Sequence, residues 1–160
     1  MNSHENSLRT PAGQAADAKA RHLEQALRDA GVRITRQRSA LLEVMAAADD
    51  HPDAVELHRR AKALEAGVSL STVYRTLSEL EAQGVILRHA FEGAPARFET
   101  TDRQHHDHMI DIETGAVIEF CSDRIERLQA EIAAELGFEI IRHRLELYVR
   151  RKDGRSRGPA

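Results

Sequence analysis

Apolar residues recur through the first eighty positions at intervals of three and four, and each run closes on a polar cap or a glycine. Leu23, Ala26, Leu27 and Ala30 share a face, which predicts a helix over residues 17–30, with Gly31 where a left-handed C-terminal residue belongs. Thr35 is the expected N-cap of a second helix carrying Ala40, Leu41, Val44 and Met45. Asp53, with Glu56 three residues on, resembles a capping box for a third helix. That helix carries Val55, Leu57, Ala61 and Leu64 and closes at Gly67. Ser71 is the expected cap of a fourth helix, with Val73, Leu77 and Leu80 inward and a stop at Gly84. Two extended runs follow, 85–91 and 97–100, around a turn cluster that contains Gly93 and Pro95. Short helices followed by a hairpin describe a winged helix-turn-helix.

Beyond residue 103 the period shortens. Residues 104–112 read as a strand, and so do 116–120 and 140–150. In the last of these Ile141, His143, Leu145 and Leu147 share a face. Between the last two, residues 123–136 read as a helix with Ile125, Leu128, Ile132 and Leu136 inward and Glu126 beside them. A strand, strand, helix, strand unit of this size is too small to stand alone, so it is expected to pair with a second copy. The fold class is therefore α+β, a winged-helix domain followed by a small α/β domain. The expected boundaries are an arm at 1–16, the winged helix at 17–101, the α/β domain at 102–150 and a basic tail at 151–160.

Composition narrows the picture. A chain of 160 residues holds one domain or two small ones. The single Cys121 excludes a disulfide framework within the chain and every cysteine-rich zinc site. No apolar run reaches the roughly 18–20 residues of a membrane span. The first sixteen residues contain Glu5 and no apolar core, so no secretory signal is expected there and a cytoplasmic protein is. The net charge of -3 hides a division. Residues 1–90 balance 12 basic against 12 acidic side chains, residues 91–147 carry 6 against 13, and residues 148–160 carry 5 against 1. The first part contains a basic cluster of Arg33, Arg36 and Arg38; the acidic part contains His105, His106, His108 and His143.

Two segments carry candidate chemistry. With Val73, Leu77 and Leu80 inward, the fourth helix turns Thr72, Arg75, Ser78 and Glu79 outward, and its N-terminal end presents hydroxyls, Tyr74 and Arg75. A recognition helix needs such donors there, and Arg75 can pair with a guanine edge by two parallel hydrogen bonds. An ordinary amphipathic helix with a solvated face would read the same way. The second segment is His105, His106, Asp107 and His108. On a strand His106 and His108 face one way, and His105 and Asp107 the other, so one strand can serve two metal sites.

At this point the chain resembles the ferric uptake regulator family of metal-dependent transcription factors. The stretches that carry the likeness are Gly31-Val-Arg-Ile-Thr-Arg-Gln-Arg38, Ser71-Thr-Val-Tyr-Arg-Thr-Leu77, His105-His-Asp-His108, Gly115-Ala-Val-Ile-Glu-Phe120 and the final run 139–148. The resemblance implies a homodimer on double-stranded operator DNA, with pairing of dimers into tetramers left open. It implies an inter-domain regulatory metal site of His51, Glu99, His106, His108 and Glu119. A second site, of His105, Asp107, Glu126 and His143, would lie in the dimerisation domain. It places DNA contacts at Arg33, Thr72, Tyr74 and Arg75. Many members hold a structural zinc on two Cys-x-x-Cys pairs; here Asp111 and Thr114 stand at the first pair, so no four-cysteine structural zinc is expected. Donors of this kind without thiolate suit Fe(II) or Mn(II), with Zn(II) able to bind in vitro.

The function expected from the resemblance is a metal-responsive repressor of iron uptake and homeostasis genes, with a manganese-responsive regulator as the alternative. Two readings from other classes fit less well. A metallohydrolase needs an open coordination position and a general base, and no His-Glu-x-x-His signature occurs, so no enzyme is expected. A metal storage or delivery protein explains the histidines but leaves the helices of Arg33 and Arg75 without a purpose.

Overall fold

The computed structural model describes residues 11–102 and 105–152, which form two compact units divided between Arg103 and Gln104. The expected arm up to residue 10 and the tail residues from 153 onward, with Arg155 and Arg157, lie outside the described residues. The first unit contains α1 (Pro11–Asp29), α2 (Arg36–Ala47), α3 (Ala54–Leu64), α4 (Leu70–Ala82), β1 (Ile86–His89) and β2 (Arg97–Thr100). The second contains β3 (Asp107–Asp111), β4 (Val117–Phe120), α5 (Asp123–Glu135) and β5 (Glu146–Val149).

Local signals account for most helix ends. The Thr35 side chain accepts from the Arg38 N–H, and Asp53 accepts from the Glu56 N–H. At the end of α1, Gly31 takes φ 75°, which lets the Val32 N–H reach back to the Leu27 carbonyl and satisfy one of the helix's last acceptors. Two boundaries differ from the sequence reading. Helix α1 begins at Pro11, so residues 11–16 are helical rather than part of an arm; proline suits a helix start, where its missing N–H costs nothing. The N-cap of α4 is Ser69, not Ser71: Ser69 is extended and its hydroxyl accepts from the Thr72 N–H, which leaves Ser71 inside the first turn.

The core of the first unit is built from the faces that the spacing picks out. Leu23 and Leu27 of α1, Leu41, Leu42 and Met45 of α2, Leu57 and Ala61 of α3, and Val73, Leu77 and Leu80 of α4 are buried together. Ile86 and Phe98 of the hairpin close the same core. Val55 and Leu64, expected on the apolar face of α3, are exposed, because α3 is covered only along the Leu57/Ala61 side. Strands β1 and β2 pair antiparallel, with Leu87 opposite Glu99 and His89 opposite Arg97. The chain before α3 adds to this wing: Asp53 bridges Arg97, and the Phe98 N–H bonds to the Pro52 carbonyl at 3.0 Å.

In the second unit β3 is the central strand, antiparallel to β4 and parallel to β5, with β4 and α5 forming the crossover. Its interior is thin. Ile110 is the one buried hydrophobic residue among those described here. Leu128, Ile132 and Leu136, expected inward on α5, are exposed within the single chain, and no residue of α5 is buried. The long strand expected over 140–150 forms only at Glu146–Val149; just ahead of it the Leu145 carbonyl still accepts from the His108 N–H at 3.1 Å, and β3, five residues long, reaches no further back along the chain. Ile141 is accordingly 88% exposed.

Candidate metal centres and DNA-reading helix

Helix α4 holds its sequence-predicted faces. Val73, Leu77 and Leu80 are buried, while Tyr74, Arg75, Ser78 and Glu79 are exposed. Thr72 is half-buried, and its hydroxyl meets that of Ser69 at 2.9 Å, so the cap and the expected contact residue share one hydrogen bond. Thr76, fully buried, returns its hydroxyl to the Thr72 carbonyl at 2.7 Å. Arg33 is exposed in the turn before α2, where its carbonyl accepts from Arg38 Nη1 at 2.5 Å. Arg75 is therefore free of core packing. Replacing Arg75 by Ala is expected to weaken binding to a specific operator by about 1–3 kcal/mol. Competition binding against random DNA checks this: an equal loss on both would assign Arg75 to phosphate instead of a base edge.

Donor groups gather at the base of the wing in the first unit. His51 and Glu99 are both buried, with His51 Nε2 2.9 Å from Glu99 Oε2. The placement follows from the local fold, since residues 51–53 run along β2, which carries Glu99. Arg97 Nη1 also donates to the His51 carbonyl at 3.0 Å. A third group is there that the sequence reading left without a role: His89 Nε2 lies 2.7 Å from Glu99 Oε1. Only the register of the hairpin could have found it, because His89 faces Arg97 and so stands diagonally across from Glu99. His58, also without a role in that reading, bonds the Val68 carbonyl at 3.0 Å and ties α3 to the chain ahead of α4.

In the second unit the alternation argument survives a shift in the strand. His105 and His106 precede β3 instead of lying in it, yet the two pairs still separate. His106 and His108 present their rings to each other at 4.9 Å. Glu119 lies directly opposite His108 in the β3–β4 pairing, and His106 Nε2 is 3.9 Å from a Glu119 oxygen. Asp111 works as a turn former. Its carboxylate accepts from the N–H groups of Glu113 and Thr114, and the Glu113 N–H above all holds its carboxyl below the usual carboxylate range.

His105, Asp107, Glu126 and His143 converge on one point from the pre-strand segment, β3, α5 and the irregular chain before β5. One donor atom of each lies within 4.8 Å of all the others. His105 Nε2 is 3.3 Å from Asp107 Oδ1 and 3.5 Å from Glu126 Oε1, and His143 Nε2 is 3.4 Å from both. Four ligands held 2.0–2.1 Å from a central ion stand about 3.3–3.4 Å apart. Asp107 is 1% exposed, and neither of its buried carboxylate oxygens has a hydrogen-bond partner. A buried carboxylate without donors is costly unless a cation sits beside it. Two imidazoles, a buried aspartate and a glutamate fit a divalent metal by donor chemistry and by spacing.

The profile of the ferric uptake regulator family matches residues 29–148. The chain belongs to this family. It is a metal-responsive DNA-binding transcriptional repressor of the ferric uptake type, with a winged-helix DNA-binding domain and a small α/β dimerisation domain. Over 128 residues it is 57% identical to the ferric uptake regulation protein of Brucella abortus biovar 1 (strain 9-941), covering 80% of this chain and 91% of that one. Among solved structures, a zinc-bound manganese uptake regulator is 46% identical with a TM-score of 0.67, covering 81% of this chain and 98% of the other. The Vibrio cholerae ferric uptake regulator is 40% identical with a TM-score of 0.70, covering 80% and 98%. Regulators of the ferric uptake family act on operator DNA as dimers, and solved relatives include one described as zinc-bound and one from Pseudomonas aeruginosa described with manganese. No described helix of this chain is long and apolar enough to cross a membrane.

Proposed function

We propose that this ferric uptake regulator represses iron uptake and homeostasis genes from the cytoplasm when Fe(II) or Mn(II) joins its two domains. The regulatory centre is assigned to His51 and Glu99 on the DNA-binding side and to His106, His108 and Glu119 on the dimerisation side. His105, Asp107, Glu126 and His143 form the second centre, and Arg33, Thr72, Tyr74 and Arg75 the DNA surface. The observation that carries the reading is that the DNA-binding domain itself buries part of a metal shell, His51 with Glu99, at the base of its wing.

A divalent cation, when bound, supplies one centre for donors from both domains. The protein residues do the rest. His51 is held by its backbone to Arg97, and Glu99 is fixed on β2, so both donors move with α4 and Arg75 as one body. The connection between the two domains then acts as the hinge, and capture of donors on both sides sets the angle at which the two recognition helices of a dimer meet DNA. The ligand need only bind that arrangement better than the others. The Vibrio cholerae relative is described as showing a structural rearrangement of its DNA-binding domains, which supports such freedom. All donors are nitrogen or oxygen, which favours Fe(II) and Mn(II) and still admits Zn(II). The likeness to a manganese uptake regulator keeps a manganese-responsive role as the second reading.

Chelator-treated protein is expected to bind an uptake-gene promoter tightly only after Fe(II) or Mn(II) is restored, as read by fluorescence anisotropy. Equal affinity with and without metal would end the switch reading.

A further inference from the structure

Glu99 is held from two sides. His51 Nε2 meets one carboxylate oxygen and His89 Nε2 meets the other, at 2.9 and 2.7 Å. An ionised carboxylate only accepts hydrogen bonds, so His89 carries its proton on Nε2 and donates it. The His89 ring is buried and fixed on both sides: it stacks on Phe91 with an interplanar angle of 5° and meets the His51 ring edge-on at 5.7 Å. Its position is also fixed by the hairpin, because His89 and Arg97 are a cross-strand pair.

We infer that His89 is a positioning residue for the regulatory metal centre: its N–H holds Glu99 Oε1, so that this carboxylate offers only Oε2 to the ion. The inference rests on the reading of Glu99 as a metal ligand. His51 and His89 do not contact Glu99 alike: His89 Nε2 hydrogen-bonds Oε1, whereas His51 Nε2 approaches Oε2 at 2.9 Å. The His89 bond engages Oε1, on the side of the carboxylate away from the oxygen nearest His51. A carboxylate pinned in this way arrives pre-oriented and monodentate. Without the pin it can rotate or bind through both oxygens, which changes the coordination number that five donors would otherwise set. Groups that orient a ligand in this manner are typically worth 10–100-fold in metal affinity.

The test is an Mn(II) titration followed by electron paramagnetic resonance, in a His143→Ala background so that the second cluster does not contribute. His89→Leu keeps the apolar contact with Phe91 and removes the donor; it is expected to weaken Mn(II) binding about 10–100-fold. His89→Gln keeps an N–H for the same oxygen and is expected to stay close to the parent, with the parent's spectrum of bound Mn(II). In a Glu99→Gln chain, His89→Leu is expected to add no further loss. Parent-like binding in His89→Leu, with Glu99→Gln still weakened, would overturn the positioning role and leave Glu99 a ligand. Equal losses in His89→Leu and His89→Gln would overturn it too, making the ring itself a ligand. If Glu99→Gln binds Mn(II) like the parent, the reading of Glu99 fails instead.

Discussion

His108→Ala is expected to abolish metal-dependent operator binding while leaving the dimer intact. His108 is buried on β3, directly opposite Glu119 and ring to ring with His106, so removing it takes out the middle donor of the dimerisation-side set. The loss should be large because the switch is a population shift. Moving a conformational equilibrium from 1:99 to 99:1 requires about a 10⁴-fold preference of the ligand for one state, roughly 5.5 kcal/mol. A centre that loses one imidazole of its shell falls well short of that. Dimerisation should persist, because the exposed apolar face of α5 does not include His108. His106→Ala should behave the same way. Anisotropy on an operator duplex with Mn(II), beside sedimentation velocity, checks both halves. Native operator affinity in either variant would remove this face of β3 from the switch.

The second large effect concerns assembly. In the dimerisation domain Leu128 is 56% exposed and Ile132 48% within a single chain, with Ile118, Leu136, Phe138 and Ile141 also exposed. Such an apolar surface needs a partner, and full burial of each aliphatic side chain is worth about 1.5–3 kcal/mol. Ile132→Glu places a carboxylate on that surface, where burial without a partner is strongly unfavourable. The expected result is a monomer at micromolar concentration by sedimentation. Affinity for a two-half-site operator should fall by orders of magnitude, while the core of Leu41, Leu57 and Leu77 keeps the winged-helix domain folded. A dimer that survives Ile132→Glu would move the interface off this face of α5.

These two predictions draw on different kinds of information. The core of the winged helix was legible in the chain because its helices are amphipathic and their ends are signalled locally. Val73, Leu77 and Leu80 recur at helical spacing, Thr35 and Asp53 cap in place, and Gly31 ends α1. The pairing of His105 with Asp107, and of His106 with His108, followed from alternation along an extended segment. The donors still group this way although the hydrogen-bonded strand begins three residues later than expected.

Where local signals were degenerate, the sequence reading erred. The run Ser69-Leu-Ser71-Thr72 offers several capping hydroxyls, and only the extended backbone at Ser69 selects one. The apolar face expected inward on α5 is exposed within one chain, because one chain does not supply the surface that would cover it. Strand length over 140–150 depended on the partner strand β3, which is short. His89 shows the limit most clearly. A lone histidine on a four-residue strand has no periodic or motif signal; its meaning comes from a hairpin register that sets it diagonally from Glu99. Periodicity and capping are properties of neighbours in the chain, so the sequence alone determined the elements, the winged-helix core and the donor types. Which donors meet, at what distance, and which apolar face stays uncovered depend on contacts between residues far apart in the chain, and only the tertiary structure decided those.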